Sequence, residues 1–243
     1  GKLIHNPQVI ASLAERGMSI IEHPKGYEPG VLVVRAHGIS DTLRKEFVDA
    51  GFLLFDATCP VVRHNLSNIA HWAKTRPILI IGHKGHPEVL AMQGVHVDGK
   101  PIKSFLITNA EETSGLIDRP YAVFVQTTFD QVLLEEIRGS LEAFHHVVYI
   151  NEISPSSISR RMAALDLARQ CDAALVIGGK QSANTKALAE LVSNEGKKAY
   201  HIEDSTEIPV EAFSYGTLGI LAGASTPSSV IEEVVQTLQR SKT

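Results

Sequence analysis

Three observations predict an α/β fold with parallel sheets for this 243-residue chain. Short, almost wholly apolar segments alternate with longer amphipathic ones, which is the rhythm of strand–helix units. The apolar segments lack the polar alternation of half-solvated strands, so helices should cover both faces of their sheets. A loop rich in small or polar residues follows each one, and sheets of this kind bind ligands beyond the carboxyl ends of their strands.

The elements follow in order. Asn6-Pro7 starts a helix, with Pro at its first position. Val31 to Val34 is the first clear strand, Ala36-His37-Gly38 is its loop, and Ser40 caps a helix that stops near Gly51. Phe52 to Phe55 leads into Asp56-Ala57-Thr58-Cys59-Pro60 and a helix through about Lys74. Ile78 to Ile81 leads into Gly82-His83-Lys84-Gly85-His86, with Pro87 opening the next helix. Tyr121 to Val125 precedes Gln126-Thr127-Thr128, and Ala173 to Ile177 precedes Gly178-Gly179-Lys180-Gln181-Ser182-Ala183-Asn184. Leu218 to Leu221 runs into Ala222-Gly223-Ala224-Ser225, and Thr226 and Pro227 open the last helix. Seams near Cys59-Pro60 and Asn151-Ile153 divide the chain into lobes over 1–59, 60–152 and 153–243, the first being the shortest. The chain opens without Met and reads as though it begins after a missing segment.

Composition narrows the function classes. A net charge of −4 with no Lys/Arg block disfavours nucleic acid, whose phosphates need a concentrated basic face. No apolar run reaches the ~20 residues that span a membrane, and no signal peptide is visible. Two distant cysteines, Cys59 and Cys171, give no disulfide framework, so a cytoplasmic location is expected. No zinc spacing, Walker loop or GxGxxG occurs.

Several loop residues carry candidate chemistry. His5, His37 and His86 stand in loops, the last two a few residues past strand ends; imidazoles donate to phosphate oxygens, and each alone also reads as a solvated loop residue. Glu88, in the first turn of its helix, is a candidate proton donor if shielded, or simply a carboxylate placed well against the helix dipole. Thr127, Thr128, Ser182, Asn184 and Ser225 put hydroxyls and an amide at three further strand ends, where helix N-termini already suit anions; each also reads as a cap. Cys59, at a strand end just before a helix, suits a metal or cluster ligand, or is a small buried residue. Cys171, with no loop chemistry around it, reads as structural.

Taken together and in order, these loops resemble 4-hydroxy-3-methylbut-2-enyl diphosphate reductase. The resemblance rests on Leu3-Ile4-His5-Asn6, Ala36-His37-Gly38, Asp56-Ala57-Thr58-Cys59-Pro60, Gly82-His83-Lys84-Gly85-His86-Pro87-Glu88, Gln126-Thr127-Thr128, Ser182-Ala183-Asn184 and Ala222-Gly223-Ala224-Ser225-Thr226-Pro227. It covers nearly the whole chain. It implies three pseudo-equivalent α/β lobes around a central cavity, a [4Fe-4S] cluster, and reductive removal of the substrate hydroxyl to give isopentenyl and dimethylallyl diphosphates. By position it implies that His5, His37, His86, Thr128, Ser182, Asn184 and Ser225 contact the diphosphate substrate. Glu88 with Thr127 would relay a proton, Cys59 would bind the cluster, and a ferredoxin- or flavodoxin-type protein would donate electrons. Three departures stand out. The family's first cluster cysteine lies in a glycine-rich loop upstream of Gly1, Ser154 takes the place of the third, and Ala183 replaces a usual serine. The resemblance therefore leaves two further readings beside the reductase: a diphosphate-binding homologue that has lost its redox centre, and a mononuclear metal site built from Cys59 and histidines.

Overall fold

All six apolar runs form strands. The structure, a computed structural model, describes residues 2–4, 6–144 and 146–240. Two units result, one spanning Ile20–Ser154 and the other joining Lys2–Ser19 to the chain from Pro155 onward. In the second unit, Asn6 accepts the Val9 N–H at 3.0 Å and Pro7 opens α1 (Pro7–Glu15).

The first unit begins with β1 (Val31–Val34), α2 (Asp41–Asp49) and β2 (Leu53–Asp56). Ser40 caps α2 by accepting the Leu43 N–H. β1 and β2 pair in parallel, Val31 with Leu53 and Val33 with Phe55. After α3 (Pro60–Trp72) come β3 (Ile78–Ile81) and α4 (Pro87–Gln93). A hairpin of β4 (His96–Val97) and β5 (Lys100–Pro101) turns on Asp98-Gly99, both at positive φ as a two-residue primed turn requires. β6 (Ser104–Ile107), β7 (Ala122–Val125), α5 (Gln131–Leu141) and β8 (Val148–Tyr149) complete a four-stranded parallel sheet ordered β6-β3-β7-β8.

Double coverage explains why β3 and β7 are apolar throughout. Leu79, Ile81, Val123 and Val125 pack with Leu134, Ile137 and Leu141 of α5 on one face. Ile78, Ile80, Ala122 and Phe124 meet Ile69 of α3 and Val89 and Met92 of α4 on the other.

Coverage of both faces, expected of every sheet, fails at β1–β2. Val31, Leu53 and Phe55 are 69%, 70% and 63% exposed on one face, because the packing that buries Val34 and Phe47 serves only the other. The partly buried edge strands β6 and β8 lie outside those six runs.

The second unit continues with α6 (Pro155–Gln170), β9 (Ala173–Ile177), α7 (Ala183–Asn194), β10 (Lys198–Ile202), β11 (Leu218–Ala222) and α8 (Ser228–Arg240). Its parallel sheet is ordered β10-β9-β11, with β9 buried at every residue. Val176 packs with Ala164, Leu188 and Leu191 of α6 and α7. Leu175 and Ile177 pack with Val230 and Val234 of α8. The last helix starts at Ser228, after Thr226, whose hydroxyl instead donates to the Ile177 carbonyl at 2.9 Å and ties the β11 loop to the end of β9. The Gln8 amide donates to the Glu203 carbonyl at 2.9 Å, holding α1 to this unit. Among the described residues no helix is long and apolar enough to cross a membrane.

Candidate active site

In the first unit the loops after β1, β2, β3 and β7 gather at the carboxyl ends of the strands. The Cys59 N–H donates to the Ala36 carbonyl at 2.9 Å, which places the loop of β2 against that of β1. His37, next along, meets His86 edge-on, with ring centroids 5.3 Å apart. Two histidines singled out from separate loops are therefore neighbours.

His86 caps α4. Its Nδ1 accepts the Glu88 N–H at 3.2 Å, so that nitrogen carries no proton and Nε2 is the ring's donor in the neutral form. Glu88 itself is 1% exposed. Both its oxygens are held by one residue: the Thr127 N–H donates to Oε1 at 2.9 Å and the Thr127 hydroxyl to Oε2 at 2.8 Å. Burial pushes the Glu88 carboxyl above its ordinary range, and the two bonds from Thr127 partly oppose this by favouring the anion. A shielded carboxyl with a raised pKa and a hydroxyl on its outer oxygen is an arrangement able to deliver a proton.

Gln126 opens the loop after β7 with no role legible in the sequence, and the structure supplies one. Fully buried, it accepts the His83 N–H through Oε1 at 2.9 Å and donates through Nε2 to the Thr128 hydroxyl at 3.0 Å. The loops of β3 and β7 are thus cross-linked beside Glu88 and Thr127. Gly82 makes room, since a Cβ there would lie 2.6 Å from Val89 and 3.1 Å from Gln126. A glutamine directly after a buried strand was the available signal, because a buried amide needs partners.

The second unit arranges its candidates likewise at strand ends. Ser182 caps α7, accepting the Thr185 N–H at 3.3 Å. Asn184 lies in the first turn, and its Nδ2 is buried without a hydrogen-bond partner. Ser225, half-buried, follows β11. His5 lies outside the described residues.

A cluster bound by three thiolates does not fit the donors this chain offers. Cys59, half-buried, stands at the N-cap position of α3 without a side-chain bond to the helix. Ser154 is buried and gives its N–H to the Thr127 carbonyl at 2.9 Å, but its hydroxyl is a hard, weakly acidic donor where a soft thiolate is needed. Cys171, buried in the second unit, directs its thiol at the Ala168 carbonyl before β9 begins, away from the carboxyl end of that strand. Among the described residues no three His, Cys, Asp or Glu side chains gather as metal ligands.

Comparison with known proteins accords with this geometry. Residues 1–239 match the LytB protein family. A 4-hydroxy-3-methylbut-2-enyl diphosphate reductase from Treponema denticola is 35% identical over 98% of this chain and 86% of its own length. One from Caldanaerobacter subterraneus is 36% identical over 100% of this chain and 85% of its own. The reductase structure from Plasmodium falciparum superposes with a TM-score of 0.88 at 23% identity, covering 97% of this chain and 76% of that one, a likeness of fold. A second solved structure, of (E)-4-hydroxy-3-methyl-but-2-enyl diphosphate reductase, gives a TM-score of 0.73 at 27% identity, covering 99% and 86%. With that match along nearly its full length, the chain belongs to the LytB family, the family of the 4-hydroxy-3-methylbut-2-enyl diphosphate reductases.

Proposed function

We propose that the chain serves the reductive dehydroxylation of 4-hydroxy-3-methylbut-2-enyl diphosphate to isopentenyl and dimethylallyl diphosphates in isoprenoid biosynthesis. The observation that carries this reading is the buried Glu88 carboxyl with both oxygens bonded to Thr127. The reaction consumes two electrons and two protons: the allylic C–O bond breaks, the oxygen leaves as water, and a C–H bond forms. Water is a far better leaving group than hydroxide, so a proton must reach the departing oxygen. Glu88, kept protonated to higher pH by burial, supplies it through the Thr127 hydroxyl: that hydroxyl turns from Oε2 to the departing oxygen, gives up its proton there, and takes the Glu88 proton on Oγ. The family resemblance assigns His5, His37, His86, Thr128, Ser182, Asn184 and Ser225 to the diphosphate. The electrons come from a ferredoxin- or flavodoxin-type protein.

Turnover of the substrate with a reduced one-electron donor, followed by mass spectrometry of the products, tests the proposal. Glu88→Gln should lower turnover by about 100-fold or more while leaving diphosphate binding largely intact. Equal turnover in the variant would remove Glu88 from the chemistry.

The single thiol at the site favours a second reading, a diphosphate-binding homologue without a redox centre. Iron and acid-labile sulfide measured after anaerobic reconstitution separate the two. Near-stoichiometric iron in the unaltered chain would exclude the second reading. Substrate binding without iron would establish it.

A further inference from the structure

Beyond β8 the chain keeps running alongside β7, and a side chain takes over where backbone pairing stops. The Ile150 N–H donates to the Val123 carbonyl at 2.9 Å. The next bonds come from the Asn151 amide: Oδ1 accepts the Val125 N–H at 2.8 Å, and Nδ2 donates to the Val125 carbonyl at 2.8 Å. Backbone pairing then resumes, with the Ser154 N–H on the Thr127 carbonyl at 2.9 Å. Asn151 thus satisfies both polar groups of a fully buried residue, as a neighbouring strand would. It stands in the middle of the stretch that delivers Ser154 to Thr127. The other side of Thr127, its N–H and hydroxyl, is committed to Glu88.

We infer that Asn151 is a positioning residue: by clamping Val125 it holds the Asn151–Ser154 segment in register against the end of β7, and so fixes Thr127 in the geometry that binds both Glu88 oxygens. This rests on the reading of Glu88 and Thr127 as the proton-delivering pair. Glu152, beside Asn151, is bound by Arg138 of α5, which also pairs with Glu135 and covers the Tyr149 ring; this group anchors the outer side of the same segment. Loss of the clamp leaves that anchor in place, so the segment can loosen at Val125 without detaching from α5.

Infrared spectroscopy of the carboxyl C=O stretch tests this in the intact chain labelled with carbon-13 glutamate. The Glu88 band is assigned by its loss in Glu88→Gln. Thr127→Val should raise its frequency, as the loss of a bond to the carboxyl requires. Asn151→Ala should raise it in the same direction, and the two shifts should fail to add in the double variant. Asn151→Asp, which keeps the acceptor and loses the donor, should also shift the band, and it serves if Asn151→Ala does not fold. A band that stays at the wild-type frequency in the Asn151 variants, while Thr127→Val moves it, overturns the inference and reduces Asn151 to a structural staple. A band unmoved in Thr127→Val sinks the Glu88–Thr127 reading itself.

Discussion

Replacing Thr127 by Val isolates one hydrogen bond and its dependence on pH. The substitution deletes the hydroxyl that donates to Glu88 Oε2 at 2.8 Å and leaves the backbone N–H on Oε1 at 2.9 Å. A bond to a charged acceptor contributes about 1.5–3 kcal/mol, a neutral one about 1 kcal/mol. Because burial raises the folded pKa of Glu88, the folded state binds a proton that the unfolded chain has already released. Stability therefore falls as pH rises from the ordinary carboxyl range, near 4.5, through the folded value. The Thr127 hydroxyl limits that fall by favouring the anion. Thr127→Val should cost about 1 kcal/mol at low pH and about 1.5–3 kcal/mol once Glu88 ionises. At about 3–4 °C per kcal/mol for a unit of this size, the high-pH loss is roughly 5–12 °C in Tm. Urea unfolding of wild type and variant at steps from about pH 4 to about pH 8 measures the difference, in which all other titrations cancel. Thr127→Ser, which keeps the hydroxyl, should restore most of it. A difference independent of pH, or a serine variant as unstable as the valine, would refute the reasoning.

Other outcomes follow from the packing. Gln126→Leu orphans the His83 N–H and the Thr128 hydroxyl and should cost about 1–3 kcal/mol in urea unfolding. Gly223→Ala would put a Cβ 2.2 Å from the Thr185 hydroxyl and should destabilise by about 1–3 kcal/mol; much of this should return in a Gly223→Ala, Thr185→Ala double variant, a non-additivity that thermal melts would display. Phe55→Ser, on the bare face of β1–β2, should change stability by no more than about 0.5 kcal/mol while lowering self-association in light scattering.

Much of the fold and the rough position of the site were legible in the chain because the signals are local. Ile78 to Ile81 and Ala173 to Ile177 are buried on both faces, so their apolar runs marked them as strands. Ser40 and Ser182 announced helix starts through bonds spanning three residues and Pro87 through its fixed φ at the first helical position, and histidine- and threonine-bearing loops fell at strand ends once the strands were known. Tertiary structure decided what those loops do. Glu88 and Thr127 are 39 residues apart, and their pairing depends on the parallel register of β3 and β7. The Asn151 clamp, the Gln126 cross-link and the bare face of β1–β2 are likewise invisible to periodicity. Composition and spacing report which residues prefer water or a helix end; which distant groups share a hydrogen bond, or which apolar face goes uncovered, is fixed only when the sheets assemble and the chain brings separate loops within 3 Å of one another.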